Sequence, residues 1–209
     1  TFGHTILQDD LTNVEPDVIL SDLDTGVSNL SYLSGAFNQD KRDSYLLPSS
    51  GFNFSASYKI SSEVIGSDAN FATVGSRLSF LLPMPRFERF SLANRSQAGA
   101  SWGFSGTEEI PISQRFYLGG QNSVRGFREN SLGPRGSQGH VIGGDLLVAN
   151  NLEFRYQIND SFLIHTFLDA GTVYLMDETV SLSDIRTSTG LGFRYLSPIG
   201  PIGFDLGKP

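Results

Sequence analysis

With 209 residues, 39% of them hydrophobic and 18% charged, the chain has enough apolar material for one core or for a lipid-facing belt. A net charge of −7 with 15 scattered Lys and Arg argues against nucleic acid, which demands clustered cations, and the lack of cysteine excludes disulfides and thiolate metal sites. No apolar run approaches the roughly 18 residues of a spanning helix and no charged-then-apolar leader stands at Thr1, but barrel strands of about ten alternating residues remain open.

Thr1 to Gly26 is irregular, and Asp9, Asp10, Glu15, Asp17, Asp22 and Asp24 predict a solvated acidic loop, with a short helix or the end of a preceding strand. From about Val27 the apolar period is close to two and turn signals return at short intervals, the pattern of an antiparallel meander. In 52–60 the even positions are apolar and the odd ones polar. Residues 72–82 place Ala72, Val74, Leu78, Phe80 and Leu82 on one side before Pro83-Met84-Pro85 ends the strand. The strand at 90–104 follows, with Trp102 and Phe104 clustered at one end as a headgroup-level belt would have them, although an ordinary sandwich also carries terminal aromatics.

A glycine-rich loop is expected over about 105–143. Beyond it come 146–158, the turn at Asn159-Asp160, then 162–174, 185–196, a turn over Ser197-Pro198-Ile199-Gly200-Pro201, and 201–206. The total is about eight strands. Leu146, Val148, Leu152, Phe154, Tyr156 and Ile158 oppose Asp145, Asn151, Glu153, Arg155 and Gln157. A sandwich and a barrel both accommodate that alternation. The wet face, rich in Asn, Gln, Ser, Arg and Glu across successive strands, suits a hydrated lumen.

Within the loop, the stretch from Arg115 to Phe127 sets one arginine, Arg125, between glycine-rich turns. Gly119, Gly120 and Gly126 can adopt angles closed to other residues and aim Arg125 at a partner. Arg128 and Arg135 read as loop charges. His4, His140 and His165 are far apart and lack ligand spacing, so no metal and no other cofactor is implied, and His165 reads as a lumen hydrogen-bonding residue. No nucleophile elbow, zinc-protease motif, P-loop or dinucleotide fingerprint is present.

Four blocks together resemble the BamA-like outer-membrane barrels, a superfamily of assembly factors shared with two-partner-secretion transporters. They are Phe116 to Gly136 with Val124-Arg125-Gly126-Phe127; Gly143-Gly144-Asp145 leading to Asn151-Leu152-Glu153-Phe154; Phe167 to Tyr174; and Ser188 to Tyr195 running into the 197–201 turn. The resemblance implies an all-β, antiparallel transmembrane barrel of sixteen strands of which this chain holds part of the second half. Residues 1–26 would then be the acidic loop or preceding strand end, and 27–209 the C-terminal part of the barrel with one more strand expected after it.

The resemblance also implies that the long loop folds back into the lumen and that Arg125 pairs with Glu153 and Asp169 as a loop latch, with Val124, Gly126 and Phe127 beside it. Parity agrees, because Glu153 lies on the polar face of its strand and Asp169 shares a face with His165. Two carboxylates can receive one planar guanidinium fork. Read instead as an acid/base pair, both acids would already be committed to the same arginine, so no catalytic residue and no enzyme is expected. The implied work is insertion or translocation of unfolded client proteins at an outer membrane, bacterial or organellar, without ATP. The implied partners are the bilayer, those clients and the remaining strands of the barrel. A two-partner-secretion transporter, an anchor or exporter for a fused enzyme, and a passive porin are the alternatives.

Overall fold

The computed structural model describes residues 1–45, 48–178, 181–197 and 200–209. Nine strands run in sequence: β1 (Phe2–Leu11), β2 (Gly26–Asp40), β3 (Gly51–Ser61), β4 (Phe71–Pro83), β5 (Phe90–Gly103), β6 (Leu146–Asn159), β7 (Phe162–Tyr174), β8 (Arg186–Ser197) and β9 (Gly200–Lys208). They form one antiparallel sheet in chain order. This is one strand more than the periodicity counts. The extra one is β1, where Phe2, Ile6, Leu7 and Leu11 break the period of two, so that backbone pairing with β2, from Phe2 opposite Gly35 to Leu11 opposite Gly26, defines it instead.

Register sorts the side chains into two faces. Phe52 stands opposite Phe80, Leu92 opposite Phe154, Leu152 opposite Leu168, and Ile164 opposite Phe193, all on the outer face. Many stay exposed there, among them Leu168, Leu191, Phe204 and Leu206. Such a broad apolar face would aggregate in water and is matched by hydrocarbon. An aromatic row edges the end that carries the β4–β5 and β6–β7 turns, with Phe90 4.8 Å from Tyr156 and 5.2 Å from Phe154, and Phe162 5.4 Å from Tyr195 and 5.5 Å from Phe193, measured between ring centres.

The inner face is polar, and two small apolar clusters sit on it. Leu30, Ala69, Phe71 and Ile110 form one. The other joins the long loop to the wall, with Leu118, Val124 and Leu132 against Ala149 and Val173. The loop between β5 and β6 is tethered by bridges from Phe116 to Gly144 and from Leu118 to Leu132. At the β6–β7 turn the Asn159 side chain accepts the Ser161 and Phe162 amides. The expected turn at Pro198 and Ile199 lies outside the described residues.

Candidate functional site

The loop folds back because its backbone and apolar residues favour it. Gly119, Gly120 and Gly126 take φ of 107°, 95° and 86°, a region costly for residues with a Cβ. Val124 is fully buried against the wall, and burying a side chain of that size stabilises by about 1.5–3 kcal/mol. Gly126 crosses β9 where a Cβ on Gly207 would lie 2.9 Å from the Gly126 nitrogen, so the two backbones touch only because both residues are glycine. Two anchors to loop carbonyls help, Asn151 Nδ2 donating to the Ser123 carbonyl at 2.5 Å and Arg95 Nη2 to the Asn122 carbonyl at 2.8 Å.

Arg125 sits at the centre with 7% of its surface exposed. Its Nε donates to Asp169 Oδ2 and its Nη2 to Asp169 Oδ1, each at 2.8 Å, a bidentate fork on a carboxylate that is completely buried. The Arg125 backbone N–H adds a third bond to Asp169 Oδ2 at 3.0 Å. Nη1 donates to Glu153 Oε1 at 2.7 Å and to Asp205 Oδ2 at 3.0 Å. Below the guanidinium lies the Phe167 ring, its centre 3.7 Å from Cζ, a cation–π contact shielded from water. Burial works against the charge on Arg125, but the Asp169 and Glu153 carboxylates outweigh it and hold the guanidinium pKa above its ordinary value.

The structure therefore brings Arg125, Glu153 and Asp169 together, with Val124, Gly126 and Phe127 around them. Phe127 is half-buried against the loop cluster, and Gly119 and Gly120 form the preceding turn, where Ser123 Oγ accepts the Gly119 amide. Arg128 is exposed, and Arg135 donates to the Gly139 and Ser131 carbonyls of its own loop.

Sequence reasoning missed three members, Asp205, Arg194 and Arg155. Asp205 on β9 binds both Arg125 and Arg194, the latter through Nη1 at 2.5 Å and Nη2 at 2.8 Å. Arg155 closes on Glu153 at 2.7 Å. The parity of Asp205, inward between Gly203 and Gly207, was the available signal. His165, expected to hydrogen-bond in the lumen, is 3% exposed with Nε2 3.3 Å from Asp205 and 3.8 Å from Glu153, and neither ring nitrogen makes a hydrogen bond among the described residues.

A second buried ion pair stands at the end of the sheet that carries the β1–β2 and β5–β6 loops. Arg115 donates to Asp24 at 2.9 Å, with both side chains inaccessible, and also to the Ile110 and Ile142 carbonyls. Asp24 in turn accepts the Leu20, Ser21 and Ile112 amides, so it ties the β1–β2 loop to the long loop. Among the described residues no cluster of His, Asp or Glu could hold a metal.

A sheet greasy outside, charged inside and carrying a loop in its concavity is part of an outer-membrane β-barrel. Residues 2–209 match the Omp85 superfamily domain, and the chain belongs to that superfamily. It is 28% identical over 184 residues to the outer membrane protein assembly factor BamA of Nitratidesulfovibrio vulgaris, covering 83% of this chain and 22% of that protein. With the human sorting and assembly machinery component 50 homolog it shares 31% identity over 170 residues, 72% of this chain and 33% of that one. The crystal structure of BamA from Haemophilus ducreyi lacking POTRA domains 1–3 superposes with a TM-score of 0.75 at 27% identity, over 88% of this chain and 39% of that one. The chain thus spans well under half the length of these relatives. Its place is the outer membrane of a bacterium or of a derived organelle.

Proposed function

We propose that this chain is the latch-bearing part of a protein that inserts other β-barrel proteins into the outer membrane without ATP. The observation that carries the latch is that one loop arginine is claimed by carboxylates of three strands, Glu153 of β6, Asp169 of β7 and Asp205 of β9. The names of the BamA and component 50 relatives, which are assembly factors, support the wider role.

The energy source is chemical, not nucleotide hydrolysis. An unfolded client strand entering hydrocarbon loses water from every N–H and C=O, at several kcal/mol for each unpaired group. A sheet edge offers those groups partners at once, so pairing along an edge draws the client in. The latch contributes by keeping the long loop against the inner wall, so that the lumen stays ordered while an edge exchanges partners. Glu153 and Asp169 both accept from one guanidinium, which supports reading them as holding groups for the loop and not as an acid/base pair.

The test uses the full-length protein in lipid vesicles with Arg125→Ala. Insertion of a urea-unfolded outer-membrane barrel, followed by its heat-modifiable migration on gels, should slow markedly while the variant's own barrel stays folded. Insertion at the wild-type rate by a folded variant would remove the latch from the mechanism.

A further inference from the structure

Outer-face residues touch lipid, and the middle of β5 and β6 departs from the chemistry that this requires. Along β5 the outward positions run Phe90, Leu92, Asn94, Ser96, Ala98, Ala100 and Trp102. On β6 the outward Asn150 stands directly opposite Ser96, and Leu152 opposite Asn94. Depth follows from the aromatic ends. Ser96 is six residues from Phe90 and six from Trp102. At about 3.4 Å per residue and a tilt near 40°, that is about 15 Å along the membrane normal from either belt, the midplane of the apolar band.

The three polar side chains form a ring of bonds. Asn94 Nδ2 donates to Asn150 Oδ1 at 3.1 Å, and Asn150 Nδ2 to Ser96 Oγ at 2.8 Å and to Asn94 Oδ1 at 3.4 Å. Ser96 Oγ donates to Asn94 Oδ1 at 3.0 Å. Counting donors and lone pairs leaves one N–H of Asn94 and one lone pair each on Asn150 Oδ1 and Ser96 Oγ without a partner among the described residues. Lipid tails offer neither a donor nor an acceptor, and an unpaired polar group in hydrocarbon is costly. The ground beside the ring is low, with Ser76 opposite Ala98 and Ala170 opposite Asn150, while Leu78, Leu152 and Leu168 rise around it. Small residues of this kind let another membrane-spanning backbone approach closely.

We propose that this face of β5 and β6 is a lateral docking site for a membrane-spanning segment of another protein that carries an asparagine or glutamine at midplane depth. A carboxamide suits these open groups: its oxygen accepts the Asn94 N–H, and its two N–H groups can donate to Asn150 Oδ1 and Ser96 Oγ. The site lies on the opposite side of the sheet from the Arg125 cluster and stands independently of the insertion reading.

The experiment reconstitutes the full-length protein in vesicles with a dansyl-labelled polyleucine helix carrying one central asparagine, or with the same peptide all leucine. Energy transfer from Trp102, on the outward row of β5, reports association. The asparagine peptide should associate about tenfold more tightly, the ratio that an interhelical hydrogen bond of about 1–2 kcal/mol gives. Asn94→Leu with Asn150→Leu should erase that preference while preserving heat-modifiable migration. Ala98→Phe, which crowds the same patch and keeps both amides, should do likewise and serves if the double variant fails to fold. Equal association of the two peptides with the wild-type protein, or an undiminished preference in the folded variants, would overturn the proposal.

Discussion

Replacing Asp169 with asparagine isolates the strongest part of the Arg125 cluster. The substitution keeps the shape and removes the charge. Asp169 accepts three bonds from Arg125, two at Oδ2 and one at Oδ1, and has no access to water. An amide can keep its oxygen toward the backbone N–H and Nε, but its NH2 then faces the Nη2 donor. One charge-assisted bond is lost outright and two are weakened, at about 1.5–3 kcal/mol for a bond to a charged group, so the loop should be destabilised by about 3 kcal/mol. At 1.4 kcal/mol per factor of ten, the released loop becomes about a hundred times more populated. Trypsin reads this directly, because cutting after Arg125 requires that guanidinium to leave its carboxylates and enter the protease's own pocket. Where opening is fast relative to cutting, the rate follows the open population. Mass spectrometry should find cleavage after Arg125 about a hundredfold faster in Asp169→Asn, with cleavage after the already exposed Arg128 little changed. A rate after Arg125 within about threefold of wild type, in a variant whose barrel is intact, would refute the reasoning.

Asp205→Asn removes a partner 3.0 Å from Nη1 while Glu153 stays in place at 2.7 Å, so its tryptic effect should be about tenfold and smaller than that of Asp169→Asn. Gly207→Ala puts a Cβ 2.9 Å from the Gly126 nitrogen, backbone that cannot swing aside, and should expose the loop to protease with every charge retained. Asp24→Asn breaks a fully buried pair and should cost about 3–5 kcal/mol locally. Hydrogen exchange should then quicken at the Ile112 and Leu20 amides that Asp24 now accepts, and unchanged protection there would count against the second pair as an anchor.

Alternation made most of this architecture legible. Where one face is lipid and the other lumen, each strand from β3 to β7 must alternate, and the register places Phe52, Leu92, Leu152 and Ile164 outward as the period of two requires. β1 was hidden because Ile6 and Leu7 are adjacent apolar residues and its acidic end, Asp9-Asp10, resembles a loop; its pairing with β2 is a backbone property that side-chain periodicity does not encode. In the site, parity could place Glu153 and Asp169 on the inner wall, and the family motif supplied Arg125. Parity could also have turned Asp205 inward, but its pairing with Arg125, like the Asp24–Arg115 pair, needed the third dimension, since the partners meet across 80 and 91 residues of chain.

One distance relation in the Arg125 cluster has mechanical meaning. Glu153 on β6 and Asp205 on β9 are three strand spacings apart, about 14 Å on a flat sheet. Both nonetheless lie within 3.0 Å of the same Nη1. The arginine is thus a chord drawn across an arc of four strands, and its two ends meet only at one radius of curvature. Flattening the arc pulls the carboxylates apart and forces Nη1 to surrender one of them. Loop attachment and wall bending are for that reason a single coordinate, and whatever unbends the wall at β6–β9 also loosens the loop.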